Sequence, residues 1–523
     1  MFSECASLTS LNVSKFNTEN VTDMNSMFNF CAGLNSLDLS NFNTAKVTDM
    51  RAMFFCCTTL TSLNISNFNT ENVTDMGVMF FYCKAFTSLN LSNFKTGKVT
   101  NMKGMFSGLG ALKSLDISNF NTENVTNMNG MFASCIVLPS LDLSHFNTAK
   151  VEDMNGMFAN CSALTTLDLS KFNTGNVTDM TSMFSSCSEL VSLDVSNFNT
   201  EKVVTMYGMF ANCKALTTLD LLSFNTPEVT TFKGMFSGCT ALTTLNIANF
   251  KTSKATDMYG MFFSCESLPT LNLSHFDTEN VTDMYGMFAY CKALNSLKIQ
   301  SFNTKNVTNM SFMFFYCTSL PSVDLTGFNT AKVTDMGAMF KYCMLMETID
   351  VSKFNTENVT NMRGMFSGCR KITTLDLSNF NTDNVTNTNT MFFSCDAITS
   401  LDLSNFKLDK VTDMASMFFG CEEMTTIYCD YTWNCGQSES MFGYCNKLKG
   451  AVAYNEYKVD VKMANPDTGY FTKKNSTGIA KPNTATDSQV VAIYSLDGKK
   501  LSELQKGVNI VHMSDGTTQK ILQ

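Results

Sequence analysis

The chain has 523 residues and a formal net charge of −9. An acidic balance of this size argues against a nucleic-acid partner, and no apolar run of about 18 residues offers a membrane span. Phe and Met number 45 and 37 against a single Trp, so the apolar content is concentrated in a few residue types.

In chain order, the sequence opens inside a repeat and stays in it. The dipeptide Met-Phe begins at Met1, Met27, Met53 and onward to Met417, always 26 residues apart, and a last copy at Met441 arrives two residues early. Self-similarity at a fixed period in this range indicates a solenoid. Met157 to Ser182 shows the unit. Met154, Met157, Phe158, Cys161 and Leu164 fall on one face of a helix. Thr178 and Asp179 stand where a side-chain oxygen and a negative charge would cap the next helix. At Leu167-Asp168-Leu169 the period becomes two, which predicts a short strand with both leucines inward and Asp168 outward. Phe172, Val177 and Met180 bring the chain to the next coil. No such unit buries its apolar face alone, so stacked neighbours must do it for one another. The Phe2/Phe28/Phe54 slot and the Phe16/Phe42/Phe68 slot hold Phe in every regular copy, and thioethers fill the gaps between coils. The expected fold is a right-handed α/β solenoid over residues 1–445, with short parallel strands on one face and short helices on the other.

The run LTTLDLSKF ending at Phe172 has the leucine-rich-repeat shape, and MFANCSAL before it supplies the Phe-x-x-Cys-x-x-Leu half. With NFNTENVTDM, as at Asn67 to Met76, the unit resembles that of BspA-like leucine-rich-repeat bacterial surface proteins. The resemblance implies a secreted or cell-surface protein that contacts host or neighbouring-cell proteins or glycans, and no catalysis. Met1 itself occupies a repeat slot. The expectation is therefore that the natural gene product carries further repeats, a cap and an export signal upstream.

The pattern breaks at Thr426 to Phe442. Residues 446–472 read as a C-terminal cap, 473–487 as a linker, and 488–523 as a small β tail. The tail holds two apolar β runs, each with an Asp-Gly turn, Asp497-Gly498 and Asp515-Gly516, a hairpin signal. Its Tyr494 to Lys499, Lys506 to Ile510 and Lys520-Ile521-Leu522 segments resemble the C-terminal sorting domain of the type IX secretion system.

Twenty cysteines in a secreted chain would suggest disulfides. Sixteen of them, however, occupy one core slot from Cys5 to Cys421, where stacked side chains run parallel rather than toward each other. Leu109 fills that slot once, so the slot wants an apolar group and the thiols are read as reduced and buried. Cys429 and Cys435 lie outside the ladder and are candidates for a bridge. One Cys per coil does not make a zinc site, and no cofactor or metal is expected. His145 and His275 share one slot five coils apart, roughly 24 Å at the strand step, and no nucleophile, base and acid come together. The Asn-Val-Thr triplets are turn consensus.

Two features qualify as binding sites. Asp116, Asp142, Asp168, Asp194 and Asp220 follow one another in the outward strand slot, where like charges one strand step apart repel. They form either a stripe for cations or cationic ligands, or a solvated polar ladder. On the helix side, Tyr259, Phe263, Tyr285, Tyr290, Phe315, Tyr316 and Tyr342 crowd into consecutive coils, as amphipathic rings do at protein or glycan contacts; the alternative is partial burial between neighbouring helices. The function expected is non-enzymatic adhesion or protein binding, with a structural spacer as the other reading.

Overall fold

The structure, a computed structural model, describes residues 1–474, 490–513 and 518–522. The linker from residue 475 onward and the Asp515-Gly516 turn lie outside the described residues. Residues 1–445 form a parallel β-solenoid in which each coil is one repeat, and residues 446–472 follow irregularly, adding Phe471–Thr472 beside Thr426–Tyr428. Ser36–Asp38 pairs with Ser62–Asn64 in parallel, each residue opposite its counterpart one repeat later. The same register joins Thr218–Asp220 to Thr244–Asn246, Thr270–Asn272 to Ser296–Lys298 and Ser400–Asp402 to Thr426–Tyr428. A second, longer ladder of parallel bridges runs from Asp23 and Asp49 to Asp413 and Gln437.

The expected helix face is not there. Among the described residues the helical segment is a single 3-10 turn, Val461–Met463. Where a helix was predicted, the chain makes successive tight turns. The Met157 N–H donates to Met154 O at 3.2 Å and the Cys161 N–H to Phe158 O at 3.2 Å. The third residue of each turn, Gly156 (φ 58°) and Asn160 (φ 60°), is left-handed, a conformation no α-helix contains. The alternate N–H groups leave the coil altogether: those of Met154, Gly156, Phe158 and Asn160 donate to the carbonyls of Asp179, Thr181, Met183 and Ser185 in the next coil. An amide committed to a neighbouring coil cannot also close a helical turn. Two four-residue turns in succession bury positions i, i+3, i+4 and i+7, which is also the helical pattern. Asp179, read as a helix cap, caps a turn instead, accepting from the Thr181 N–H at 2.8 Å.

The core is a bundle of same-residue stacks. Phe158 lies 5.8 Å from Phe132 and 5.7 Å from Phe184, ring planes within 7°, and the stack runs unbroken from Phe2 to Phe442. These separations exceed the strand spacing of about 4.8 Å, so the rings are slipped rather than face to face. Beside them runs a buried threonine ladder. The Thr304 hydroxyl donates to Asn329 O and accepts from the Asn329 N–H, both at 2.8 Å. Thr18 through Thr382 donate in the same way in their coils, and most also accept, whereas Thr200 and Thr330 only donate. The ladder stops where Leu408 takes the slot.

The far end of the stack is closed by aromatic rings. Trp433 packs edge-on to Phe471 at 4.7 Å, and Tyr470 edge-on to Phe442 at 5.3 Å. Tyr470 is fully buried, and its hydroxyl donates to Lys458 O at 2.8 Å. In the tail, Val490–Ser495 pairs antiparallel with Lys500–Leu501 and with Val508–Met513, and the latter with Thr518–Leu522. Gly498 (φ 82°) makes the first of these turns.

Thr304→Val keeps the shape of the side chain but strands a buried N–H and carbonyl of Asn329. It should lower the unfolding free energy by about 1–3 kcal/mol. Thr282→Val, on an exposed hydroxyl that only donates, should change it by less than about 0.5 kcal/mol. Equal denaturant midpoints for the two variants would contradict the ladder.

Candidate functional site

The five outward aspartates stand exposed; Asp220 ends the strand Thr218–Asp220, and the other four lie in irregular backbone. Each folds back on its own chain: Oδ1 of Asp116, Asp142, Asp168, Asp194 and Asp220 accepts from the backbone N–H two residues on, at 2.9–3.1 Å. Ser118 and Ser144 add hydroxyl bonds to Asp116 and Asp142 at 2.8 and 2.7 Å. These bonds hold the carboxyls of Asp116, Asp142, Asp168 and Asp194 below the usual carboxylate range, and for Asp116 they outweigh the repulsion from Asp142. Asn12, Asn64 and Asn90 accept the same bond in the same slot, which explains why Asp and Asn interchange there. Among the described residues no three acids, His or Cys come together to hold a metal ion.

His145 and His275 are also turn groups. Their Nε2 atoms lie 2.8 and 3.0 Å from the carbonyls of Ile117 and Ile247, the place taken by Asn119 and Asn197 in other coils.

The ladder thiols are free, and from Cys31 onward all are buried. Each points at a carbonyl of the preceding coil, Cys161 donating to Phe132 O at 3.1 Å. Burial pushes the Cys161 thiol up to about 12, as it does those of Cys239, Cys291 and Cys369, so these groups are neither nucleophiles nor ligands at neutral pH. Cys429 and Cys435 are not bridged; they donate separately to the carbonyls of Tyr431 and Gln437.

The aromatic residues do come together, as one ridge. Tyr259 stacks on Tyr285 at 4.6 Å, and Tyr285 leads to Phe312 at 5.4 Å. Phe312 meets Phe315 at 5.1 Å, and Phe315 meets Tyr290 and Tyr316 at 5.1 and 5.0 Å. Phe263 and Tyr342 join through Tyr290 and Tyr316. All are half-buried. Phe312 is the member that sequence reasoning missed. Its slot holds Gly208, Gly234, Gly260 and Gly286 in the four preceding coils, and the interruption of that glycine run was the available signal. Smaller groups that also went unread are Phe30, Phe55 and Phe81 near one end and Phe393, Phe419 and Tyr444 near the other.

The ridge is held at a conformational cost. Tyr290, Phe312, Tyr316 and Tyr342 all have φ of 59–62°. Bulky residues seldom adopt this region, and each stands to cost about 1–2 kcal/mol there. Most other coils use Gly, Asn or Ser, as at Gly238, Asn160 and Ser264. Cations border the ridge: Lys233 Nζ lies 4.5 Å from the Tyr259 ring centre and Lys341 Nζ 5.3 Å from that of Tyr342. A recess of about 290 Å³ lined by Tyr207, Lys233 and Tyr259 lies at one end, and one of about 300 Å³ lined by Phe312, Phe315, Lys341 and Arg363 toward the other.

The model of the family described as "Mycoplasma protein of unknown function, DUF285" matches residues 1–114, 86–192, 165–270, 266–348 and 344–455. No curated protein matches. Similar solved structures include a TLR13–ssRNA13 complex, 18% identical over 78% of this chain and 58% of that one, TM-score 0.25. The functional domain of InlJ from Listeria monocytogenes, described as including a cysteine ladder, is 15% identical over 94% and 90%, TM-score 0.22. A leucine-rich repeat protein from Eubacterium ventriosum is 17% identical over 62% and 85%, TM-score 0.29. The chain thus spans little more than half of the TLR13 chain it matches.

In the native protein a thiol reagent should label Cys5, Cys56 and Cys435, which are exposed or half-buried, and leave the Cys161-type slot untouched. Denaturant without reductant should expose all 20 cysteines, as counted by intact mass. The Cys161, Cys239, Cys291 and Cys369 thiols are held protonated by burial, and their raised value means stability is whole below the ordinary 9.0 and is lost as pH rises toward about 12. The denaturant midpoint should therefore fall between about pH 9 and pH 11. Native labelling of Cys161, or a flat alkaline limb, would contradict the buried ladder.

Proposed function

The chain belongs to the family described as "Mycoplasma protein of unknown function, DUF285", and from that membership we propose that it is a non-enzymatic binding protein of the cell surface or its surroundings. Its aromatic ridge contacts proteins or glycans of a host or neighbouring cell. The observation that carries this reading is the run of four bulky residues in left-handed slots, Tyr290, Phe312, Tyr316 and Tyr342. Strain of this kind persists where something other than folding selects it. Half-buried rings edged by lysines offer the flat apolar area and polar rim that contact surfaces use.

The resemblance to BspA-like surface proteins supports the adhesive reading, and no helix among the described residues is long and apolar enough to cross a membrane. The tail sheet, through its Tyr494 to Lys499 hairpin, is assigned the role of a sorting segment for export. The strand face favours a plainer role. Its Asx turns recur from coil to coil, which suits a spacer that keeps the solenoid wet and extended.

Tyr290→Asn combined with Tyr316→Asn installs a residue used in the same slot at Asn160 and Asn212. Loss of ring contacts and relief of the left-handed strain should offset, leaving stability within about 1 kcal/mol. Binding of the fluorescently labelled protein to cultured epithelial cells should drop severalfold, while Asp168→Asn should bind as the parent does. Equal binding by the double variant would remove the ridge from the contact. No binding by the parent would favour the spacer.

A further inference from the structure

The recess beside Phe312 exists because one side chain is missing. The slot that holds Tyr259, Tyr285 and Ser311 in successive coils holds Gly337 and then Arg363. A Cβ on Gly337 would lie 2.7 Å from Asn361 Nδ2 and 3.0 Å from Asp335 Oδ1. Those two atoms are themselves hydrogen-bonded at 3.0 Å, and the Gly337 N–H also donates to Asp335 at 2.7 Å. The acid at the floor is thus engaged with its own surroundings.

The walls and rim are of different character. Phe312 and Phe315 stand edge to face, 70° apart. Lys341 and Arg363 complete the lining, and neither forms an ion pair among the described residues. Lysines in nearby coils do pair, Lys254 with Glu228 and Lys292 with Glu266. The stem of Lys341 packs toward Gly364, and burial together with the neighbouring Arg363 charge pushes its ammonium below the ordinary lysine value. In a chain of net charge −9, two unpaired cations beside two aromatic rings call for an anion with a flat apolar face.

We propose that the recess formed by Gly337, Phe312, Phe315, Lys341 and Arg363 binds a carboxylate-bearing sugar ring, of the uronic-acid or sialic-acid type. The proposal rests on the reading of the aromatic ridge as a contact surface and gives that surface a ligand class. A pyranose presents C–H groups to an aromatic ring, and its carboxylate suits the planar fork of Arg363 with Lys341 as a second, point-like charge. The volume of about 300 Å³ lies at the small end of ligand sites and suits one sugar ring. A neutral sugar would leave both cations unpaired. An acidic peptide would pair them but bring no flat face to the phenyl rings.

The test is calorimetric titration of the full chain with sialyllactose, a hyaluronan tetrasaccharide, lactose and a heptaglutamate peptide. Sialyllactose or the hyaluronan fragment should bind at least about tenfold more tightly than lactose, and the stronger of the two identifies the acid. Binding should weaken as salt is raised, and fall about tenfold in Arg363→Gln and in Lys341→Gln. Lys103→Gln, ten repeats earlier in the Arg363 slot and following Gly77 as Arg363 follows Gly337, should have no effect. Circular dichroism identical to the parent's shows that the variants are folded. The proposal is overturned if neither acidic sugar binds more tightly than lactose, if only the peptide binds, or if Arg363→Gln and Lys341→Gln bind as the parent does. Should it fall while the Tyr290 and Tyr316 substitutions still abolish cell binding, the ridge stands and only its ligand class is wrong.

Discussion

Everything in this solenoid depends on where the backbone N–H groups go. In each coil alternate amides of the Met-Phe segment donate to the next coil, as Phe158 does to Met183 at 2.9 Å. That commitment sets the stacking distance and forces counterpart residues into register. Register in turn converts single conserved-looking slots into stacks of Phe, Met and Cys. Because every coil satisfies its neighbour, stability is shared along the array rather than held in one place.

Polar groups in such an array need partners as regular as the apolar ones. Most of the buried threonines solve this with one hydroxyl that both donates to and accepts from the next coil. The ladder cysteines use a weaker version of the same device, each thiol directed at a Phe carbonyl one coil back. On the outer face the Asx side chains close turns locally. Charge is a by-product there, since Asn serves as well as Asp.

Much of this was legible in the residues. The 26-residue period and the phenylalanine and thiol stacks follow from slot identity; the strand expected at Leu167 to Leu169 does not form there, and where strands do form they cover the preceding Ser/Thr, Leu and Asp or Asn, as at Thr218–Asp220. The helix face did not follow, because Met154, Met157, Phe158 and Cys161 satisfy a 3.6-residue helix and a pair of four-residue turns equally well. Glycine, asparagine and serine recurring at the Gly156 and Asn160 slots were the discriminating signal, since left-handed φ excludes a helix. For the candidate site, Tyr259 through Tyr342 could be found by composition. Phe312 was marked only by its break in the glycine run, and Lys341 and Arg363 were not legible, because they meet only when the coils are stacked and the gap at Gly337 opens between them. The aspartate stripe was visible too, but its Asx turns were not, although Ser two residues after most of the acids pointed to them.

The central claim is that these coils are held by amides bonded between coils and contain no helix. Far-ultraviolet circular dichroism of the intact chain tests it most directly. The account predicts a β-and-turn spectrum without the paired minima of α-helix, lost in one step together with the burial of the Cys161-type thiols. A strong helical double minimum in the native protein would contradict it.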